Sequence, residues 1–353
     1  MRRVTGIGAH GIPWRAAAPS CGPAGGSVTN ASHGPGCVAI TGLRTFVGQR
    51  VAERLCARGR GIRVLGVDLR RPWRLERRIP FERIDLTDPA ANARLAEVFE
   101  REGVEAVLHA AFRRDPTPDV ESDHELETIG TLQVLHACAA AKVPRLVVAS
   151  STMLYGPRPD NPNFLSESHP LRGHPDAHCI GNRVEMEALV AAWSRRHPDV
   201  EVTVLRPAWV MGPHHWDRVV RHFSGRVVTT VLGYDPLLQF IHEEDCLDVF
   251  EQALVDRHPG VYNVVAPGPL PLSVLLRVAG KTPLPIPAPV LYRVRDLADR
   301  AGSGDPPAAF YDYLRWGWLG EGERGWRAFG EPFYTTREAW ISHVSAQRMR
   351  RYR

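Results

Sequence analysis

Thr41-Gly42-Leu43-Arg44-Thr45-Phe46-Val47-Gly48 lies between a short apolar run, Cys37-Val38-Ala39-Ile40, and residues 47–58, where Val47, Val51 and Leu55 recur at helical spacing. The run reads as a buried strand and the recurring stretch as a helix, so the octapeptide is a strand-to-helix turn. Gly42 permits the tight turn, and Gly48 permits close packing of helix on strand. Amides at the helix start, around Thr45, Phe46 and Val47, can hold a pyrophosphate, helped by the helix dipole. A second strand, 62–67, ends at Asp68, 20 residues after Gly48. A carboxylate there can accept both ribose hydroxyls of NAD and would repel a 2′-phosphate. Arg44, Arg70 and Arg71 lie close by and pull the other way, so NAD is expected ahead of NADP.

Outward from the turn, helices and strands alternate. A helix follows Asp85 through Leu95, Val98 and Phe99; 104–108 reads as strand, 129–141 as helix and 145–149 as strand. Further on, 185–194 reads as helix, 202–205 as strand and 246–255 as helix. Such alternation predicts an α/β fold, a Rossmann-type doubly wound parallel sheet with a small C-terminal substrate lobe. Residues 1–36, rich in Gly, Ala, Ser and Pro, read as a flexible extension. The expected divisions are a dinucleotide-binding domain over 37–265, with lobe insertions after about 170, a lobe over 266–345 and a basic tail over 346–353. Prolines at 267, 269, 271, 283, 285, 287 and 289 are expected to break regular structure in the lobe. Trp316, Trp318, Trp326 and Trp340 read as lobe core rather than pocket lining.

Composition narrows the chemistry. The 353 residues hold only two lysines, Lys142 and Lys281, so the other 42 of the 44 basic residues are arginine. Cys138 and Arg277 stand four positions before the lysines, so no Tyr-x-x-x-Lys pair exists. The net charge of +5 owes four charges to Arg348, Arg350, Arg351 and Arg353, which argues for a solvated tail rather than a nucleic-acid surface. Six scattered cysteines without a C-x-x-C pair read as reduced thiols of a cytoplasmic protein. His169, His174 and His178 beside Cys179, and His214-His215, lack metal-ligand spacing, so no metal is expected. No apolar run reaches the length of a membrane span.

The series of motifs resembles the extended short-chain dehydrogenases/reductases, the NAD-dependent epimerase/dehydratase family. Their fingerprint, Thr-Gly-x-x-Gly-x-x-Gly, is met at Gly42 and Gly48, with Thr45 in place of the middle glycine. Asp85-Leu86, His109-Ala110-Ala111, Ser150-Ser151-Thr152-Met153-Leu154-Tyr155-Gly156, Arg206-Pro207, Gly212-Pro213 and Phe240-Ile241-His242 follow in the family's order. The resemblance covers most of 37–265 and is nearest a bacterial subgroup described as UDP-glucose 4-epimerase-like, many of whose members lack the complete catalytic tetrad. It implies that Asp85 and Leu86 touch adenine and that Ala110, Ala111 and Pro207 lie along the cofactor. It further implies a small-molecule substrate, such as a nucleotide sugar, and leaves a homodimer as an open expectation.

The family's catalytic Tyr and Lys sit four residues apart on one helix. Anchored on Glu187, those positions hold Cys179 and Arg183, while Ser151 keeps the place of the hydroxyl that orients the substrate oxygen. A thiol one helical turn from a guanidinium can have its pKa lowered, and Arg183 can still donate to ribose hydroxyls. The alternative is that Cys179 is a packing residue in a site that has lost proton transfer, which makes the protein an NAD(P)-bound sensor, scaffold or partner subunit. Trp209 stands where nucleotide-sugar enzymes of the family carry a phosphate-binding asparagine. Tyr155 is a further candidate proton donor.

Overall fold

A computed structural model describes residues 34–57, 61–72, 75, 79–112, 120–300 and 308–351. The strands begin with β1 (Cys37–Thr41), β2 (Arg63–Asp68), β3 (Phe81–Arg83), β4 (Ala106–His109), β5 (Arg145–Ala149) and β6 (Glu201–Pro207). The chain then leaves the main sheet for β7 (Trp209–Met211), β8 (Val227–Val231), β9 (Leu237–Leu238) and β10 (Phe240–His242). It returns for β11 (Gly260–Val264) and leaves again for β12 (Leu270–Pro271) and β13 (Thr282–Ile286). The helices are α1 (Phe46–Ala57), α2 (Ala91–Glu102), α3 (Val120–His124), α4 (Gly130–Ala140), α5 (His178–Arg196) and α6 (Arg218–His222). After them come α7 (Glu243–Val255), α8 (Leu272–Ala279), α9 (Ala288–Arg300), α10 (Glu323–Phe329) and α11 (Thr336–Arg351).

Seven parallel strands form one sheet in the order β11-β6-β5-β4-β1-β2-β3. Strand faces alternate between two cores. Ala39, Val107, Leu146 and Val148 face α2, α4 and α5, where Leu95, Phe99, Leu135, Met186 and Trp193 pack. Val38, Ile40, Leu108 and Val147 face α1 and α7, where Val51, Leu55, Leu247 and Phe250 pack. Covered on both faces, β1 has no solvent side, and all five of its residues are buried. The order reverses direction between β1 and β4, which opens a crevice at the carboxyl ends of those strands.

The C-terminal lobe has its own core, built around Trp209, Phe223, Phe240, Tyr313, Trp318 and Trp340. The proline-rich stretch is more regular than expected. Pro283 and Pro285 alternate with Thr282, Leu284 and Ile286 in β13, which pairs in parallel with β8. Alternation puts both missing N–H groups on one edge, a position that proline tolerates. Residues 346–351 of the expected basic tail continue α11, and Arg348 and Arg350 are exposed there. Arg348 donates to Ala279 O at 2.9 Å, and Arg350 donates to Pro213 O. The expected extension falls outside the described residues over 1–33.

Candidate functional site

The β1–α1 turn is built for close approach. Gly42 has φ +75°, and a Cβ there would lie 2.4 Å from the backbone of Ala110 and Ala111. At Gly48 a Cβ would lie 2.4 Å from Gly42 O. Thr45, in place of the middle glycine, donates its hydroxyl to Gly42 O at 2.8 Å and accepts from Gly48 N–H at 3.1 Å. It therefore caps α1 and locks the turn at once. Intrahelical bonding resumes with Gln49 N–H to Thr45 O at 3.0 Å, so the Phe46 and Val47 amides of the first turn lie before it, as an anion site requires.

One cavity, of about 580 Å³, opens beside this turn toward β2 and β3. Gly42, Thr45, Asp68, Asp85, Leu86 and Ala111 line it. Asp68 accepts from Arg44 N–H at 3.0 Å and Leu69 N–H at 2.7 Å, which fixes its carboxylate at the end of β2. Asp85 is fixed by Thr87, which donates from N–H at 3.0 Å and from Oγ1 at 2.8 Å. Of the three arginines that argued for NADP, Arg44 lines this cavity. Arg71 lies over the Phe81 ring at 5.1 Å and donates to Ile79 O at 3.4 Å.

A second cavity, of about 270 Å³, continues from the turn toward the lobe. Its lining joins Thr45, Phe46, Val47, Ala110 and Pro207 to Ser151, Cys179 and Arg183, residues spread over more than a hundred positions of the chain. Ser151 accepts from Met153 N–H at 3.2 Å and caps the short 3-10 turn that follows β5. Cys179 and Arg183 share the first turns of α5. Arg183 pairs with the buried Glu127 at 3.3 Å and lies 5.5 Å from the Phe112 ring centre. The pKa expectation for Cys179 is corrected here. Burial pushes the thiol above its ordinary value, and the pull of Arg183 offsets this only in part.

Behind the cavity, Glu187 ties α5 to the sheet. Its carboxylate takes Arg206 in a two-pronged pair, Nη2 at 2.6 Å and Nε at 3.0 Å, and also accepts from Ser150 Oγ. This pairing holds the helix that carries positions 179 and 183. Tyr155 belongs to the same network: it donates to Asn263 Oδ1 at 2.8 Å and accepts from Arg206 at 2.9 Å. Fully buried, it is outside the lining of the second cavity. Trp209 lines that cavity, stacks on Phe310 at 5.6 Å and donates Nε1 to Met153 Sδ at 3.1 Å. Trp316, Trp318, Trp326 and Trp340 do not line it.

Sequence reasoning missed Phe112, His215, Asp217, Arg218, Phe310 and Tyr313, all in the same lining. Tyr313 donates to Met153 O at 2.9 Å, and burial pushes its hydroxyl far up. Only His214-His215 left a trace in the sequence, as a histidine pair without metal spacing. Among the described residues no cluster of three or more His, Cys, Asp or Glu could hold a metal, and no helix is long and apolar enough to cross a membrane.

A glycine turn at a helix start, a carboxylate at the next strand end and a crevice at the switch point define a dinucleotide-binding fold. Residues 38–265 match the model of the NAD dependent epimerase/dehydratase family, and the chain belongs to that family. An uncharacterized protein of Mycobacterium tuberculosis (strain ATCC 25618 / H37Rv) is 31% identical over 318 residues, 87% of this chain and 82% of that one. The UDP-glucuronate 4-epimerase of Thermodesulfobacterium geofontis is 25% identical over 270 residues, 70% of this chain and 76% of that one. The fold matches the structure of the Thermus thermophilus UDP-glucose 4-epimerase in complex with NAD, with TM-score 0.68, 21% identity, and coverage of 88% of this chain and 99% of that one.

Proposed function

We propose that the protein is an NAD-dependent oxidoreductase of the epimerase/dehydratase type, acting on a hydroxyl of a sugar-like or nucleotide-sugar substrate. The observation that carries this reading is the single cavity that joins the α1 turn to Ser151, Cys179 and Arg183. Bound NAD supplies a hydride acceptor and donor at its nicotinamide. Gly42, Thr45, Phe46, Val47 and Gly48 form the seat for its diphosphate, and Asp68 accepts from the adenosine ribose. Asp85 and Leu86 would flank its adenine, Ala110, Ala111 and Pro207 would lie along it, and Arg183 would donate to the nicotinamide ribose.

Ser151 orients the substrate oxygen, and Cys179 is the candidate proton carrier. With its pKa raised by burial, the thiol keeps its proton and donates it weakly, and little of it is present as the thiolate that would take a proton from a substrate hydroxyl. Scarce thiolate, together with the hold of Glu127 on Arg183, is the ground for the alternative, a cofactor-bound sensor, scaffold or partner subunit without turnover, while the family match supports the oxidoreductase. Reduced thiols at Cys37, Cys138, Cys179 and Cys246 support a cytoplasmic setting. Light scattering tests the homodimer that the family resemblance leaves open.

The deciding experiment incubates the protein with NAD and a panel of nucleotide sugars and simpler hydroxy compounds, following NADH absorbance and epimerised product. Turnover that Ser151→Ala abolishes supports the oxidoreductase. Tight NAD binding with neither signal across the panel supports the second reading.

A further inference from the structure

Beside the first turn of α1, the lining of the second cavity includes His215, Asp217 and Arg218. The His215 ring packs edge-on against Phe46, with centroids 4.7 Å apart. Its position is set twice over. The His215 N–H donates to Glu243 Oε2 at 2.8 Å, and the same buried carboxylate takes the His214 N–H at 2.9 Å. Gly212 lies so close to Glu243 that a Cβ there would be 2.4 Å from its side chain. The ring is held separately: His215 Nε2 meets Asp217 Oδ2 at 3.0 Å, while Asp217 Oδ1 accepts from Val220 N–H at 2.8 Å. The side chain is only 11% exposed, and the other ring nitrogen, Nδ1, is buried without a hydrogen-bond partner among the described residues.

Buried polar atoms are rarely left unmatched in a folded protein. Here the unmatched atom belongs to a ring fixed at its backbone and at its other nitrogen, in a cavity shared with the Phe46 and Val47 amides. We propose that His215, with Arg218, completes a diphosphate subsite together with the amides at the start of α1. The inference rests on the dinucleotide reading and adds to it a binding group from the lobe side. His215 offers Nδ1 to a phosphate oxygen while Nε2 stays with Asp217, and Arg218 adds a cation. The Asp217 carboxylate opposes an anion less than its charge suggests, because His215 and the Val220 amide already engage it. Two linked phosphates occur both in the dinucleotide and in a nucleotide sugar, so the probes must separate these sources.

The test is calorimetric titration of the parent and of His215→Ala with NAD, with uridine diphosphate and with adenosine, which carries no phosphate. A weakening of about tenfold or more, the size of one charge-assisted hydrogen bond, is expected for NAD or uridine diphosphate, with adenosine unchanged. Weakening for NAD assigns the subsite to the cofactor; weakening for uridine diphosphate alone assigns it to the substrate. Both affinities staying within about twofold of the parent overturns the inference. An equal loss for adenosine also overturns it, because the role is then structural. A parent that binds uridine diphosphate through His215 but not NAD overturns the dinucleotide reading and leaves the subsite standing; a parent that binds neither overturns both. If His215→Ala does not fold, His215→Gln is read by the same criteria.

Discussion

Thr45 looks like a defect in the glycine fingerprint and is a cap. Its hydroxyl bridges Gly42 O and Gly48 N–H, so the turn keeps its shape without the middle glycine. Thr45→Val should cost about 1 kcal/mol in urea unfolding, and Thr45→Gly only a few tenths, because glycine is tolerated at a helix N-cap. At positions 179 and 183, the double change Cys179→Tyr with Arg183→Lys should create or raise turnover of NAD. If Cys179→Ala leaves a native activity untouched, Cys179 is not the proton carrier. His109 gives a pH prediction. It sits between Thr41 Oγ1 at 2.7 Å and Thr131 Oγ1 at 2.9 Å, and burial lowers its pKa from 6.5 to about 3. The ring is neutral in the fold but takes a proton in the unfolded chain, so the unfolded state gains as pH falls. Stability from this group is complete above 6.5 and is lost toward about 3. Urea midpoints should fall from about pH 7 to about pH 5, and less steeply in His109→Gln. Most of these residues were legible in the sequence because they belong to an ordered series of short motifs. The Thr45 cap was not, because a fingerprint treats that position only as glycine present or absent.

At the scale of elements, α5 decides whether the site exists, and one buried carboxylate holds it. Glu187→Gln would leave the Arg206 charge buried with its partner neutralised, a loss expected at about 3–5 kcal/mol in urea unfolding. Replacing Glu187 and Arg206 together with apolar residues of similar size should cost much less, since no charge is then left unpaired. The sequence read this helix as 185–194, whereas it spans His178–Arg196. Gly181 and Asn182 are weak helix formers, so local propensity hid the first turns, which carry Cys179 and Arg183. The family spacing recovered those positions where propensity had failed. For β13 the error runs the other way: proline content argued against a strand, while the spacing of Pro283 and Pro285 allows an edge pairing.

Across the whole molecule, the alternation of strands and helices was enough to predict a parallel doubly wound sheet. The placement of β11 beside β6 and of β3 beside β2 was not legible, because pairing partners far apart or only three residues long leave no local signal. The same limit hid part of the second cavity. Phe310 and Tyr313 reach it from a segment that carries no familiar motif, and only the lobe's packing brings them to Ser151. What the molecule presents is a dinucleotide seat continuous with a small, largely apolar chamber lined by Ser151, Cys179 and Arg183. The most direct measurement is calorimetric titration of the purified protein with NAD and NADP. The account predicts saturable binding of one NAD per chain, tighter than NADP because of Asp68. Absence of saturable NAD binding, or tighter binding of NADP, would contradict it.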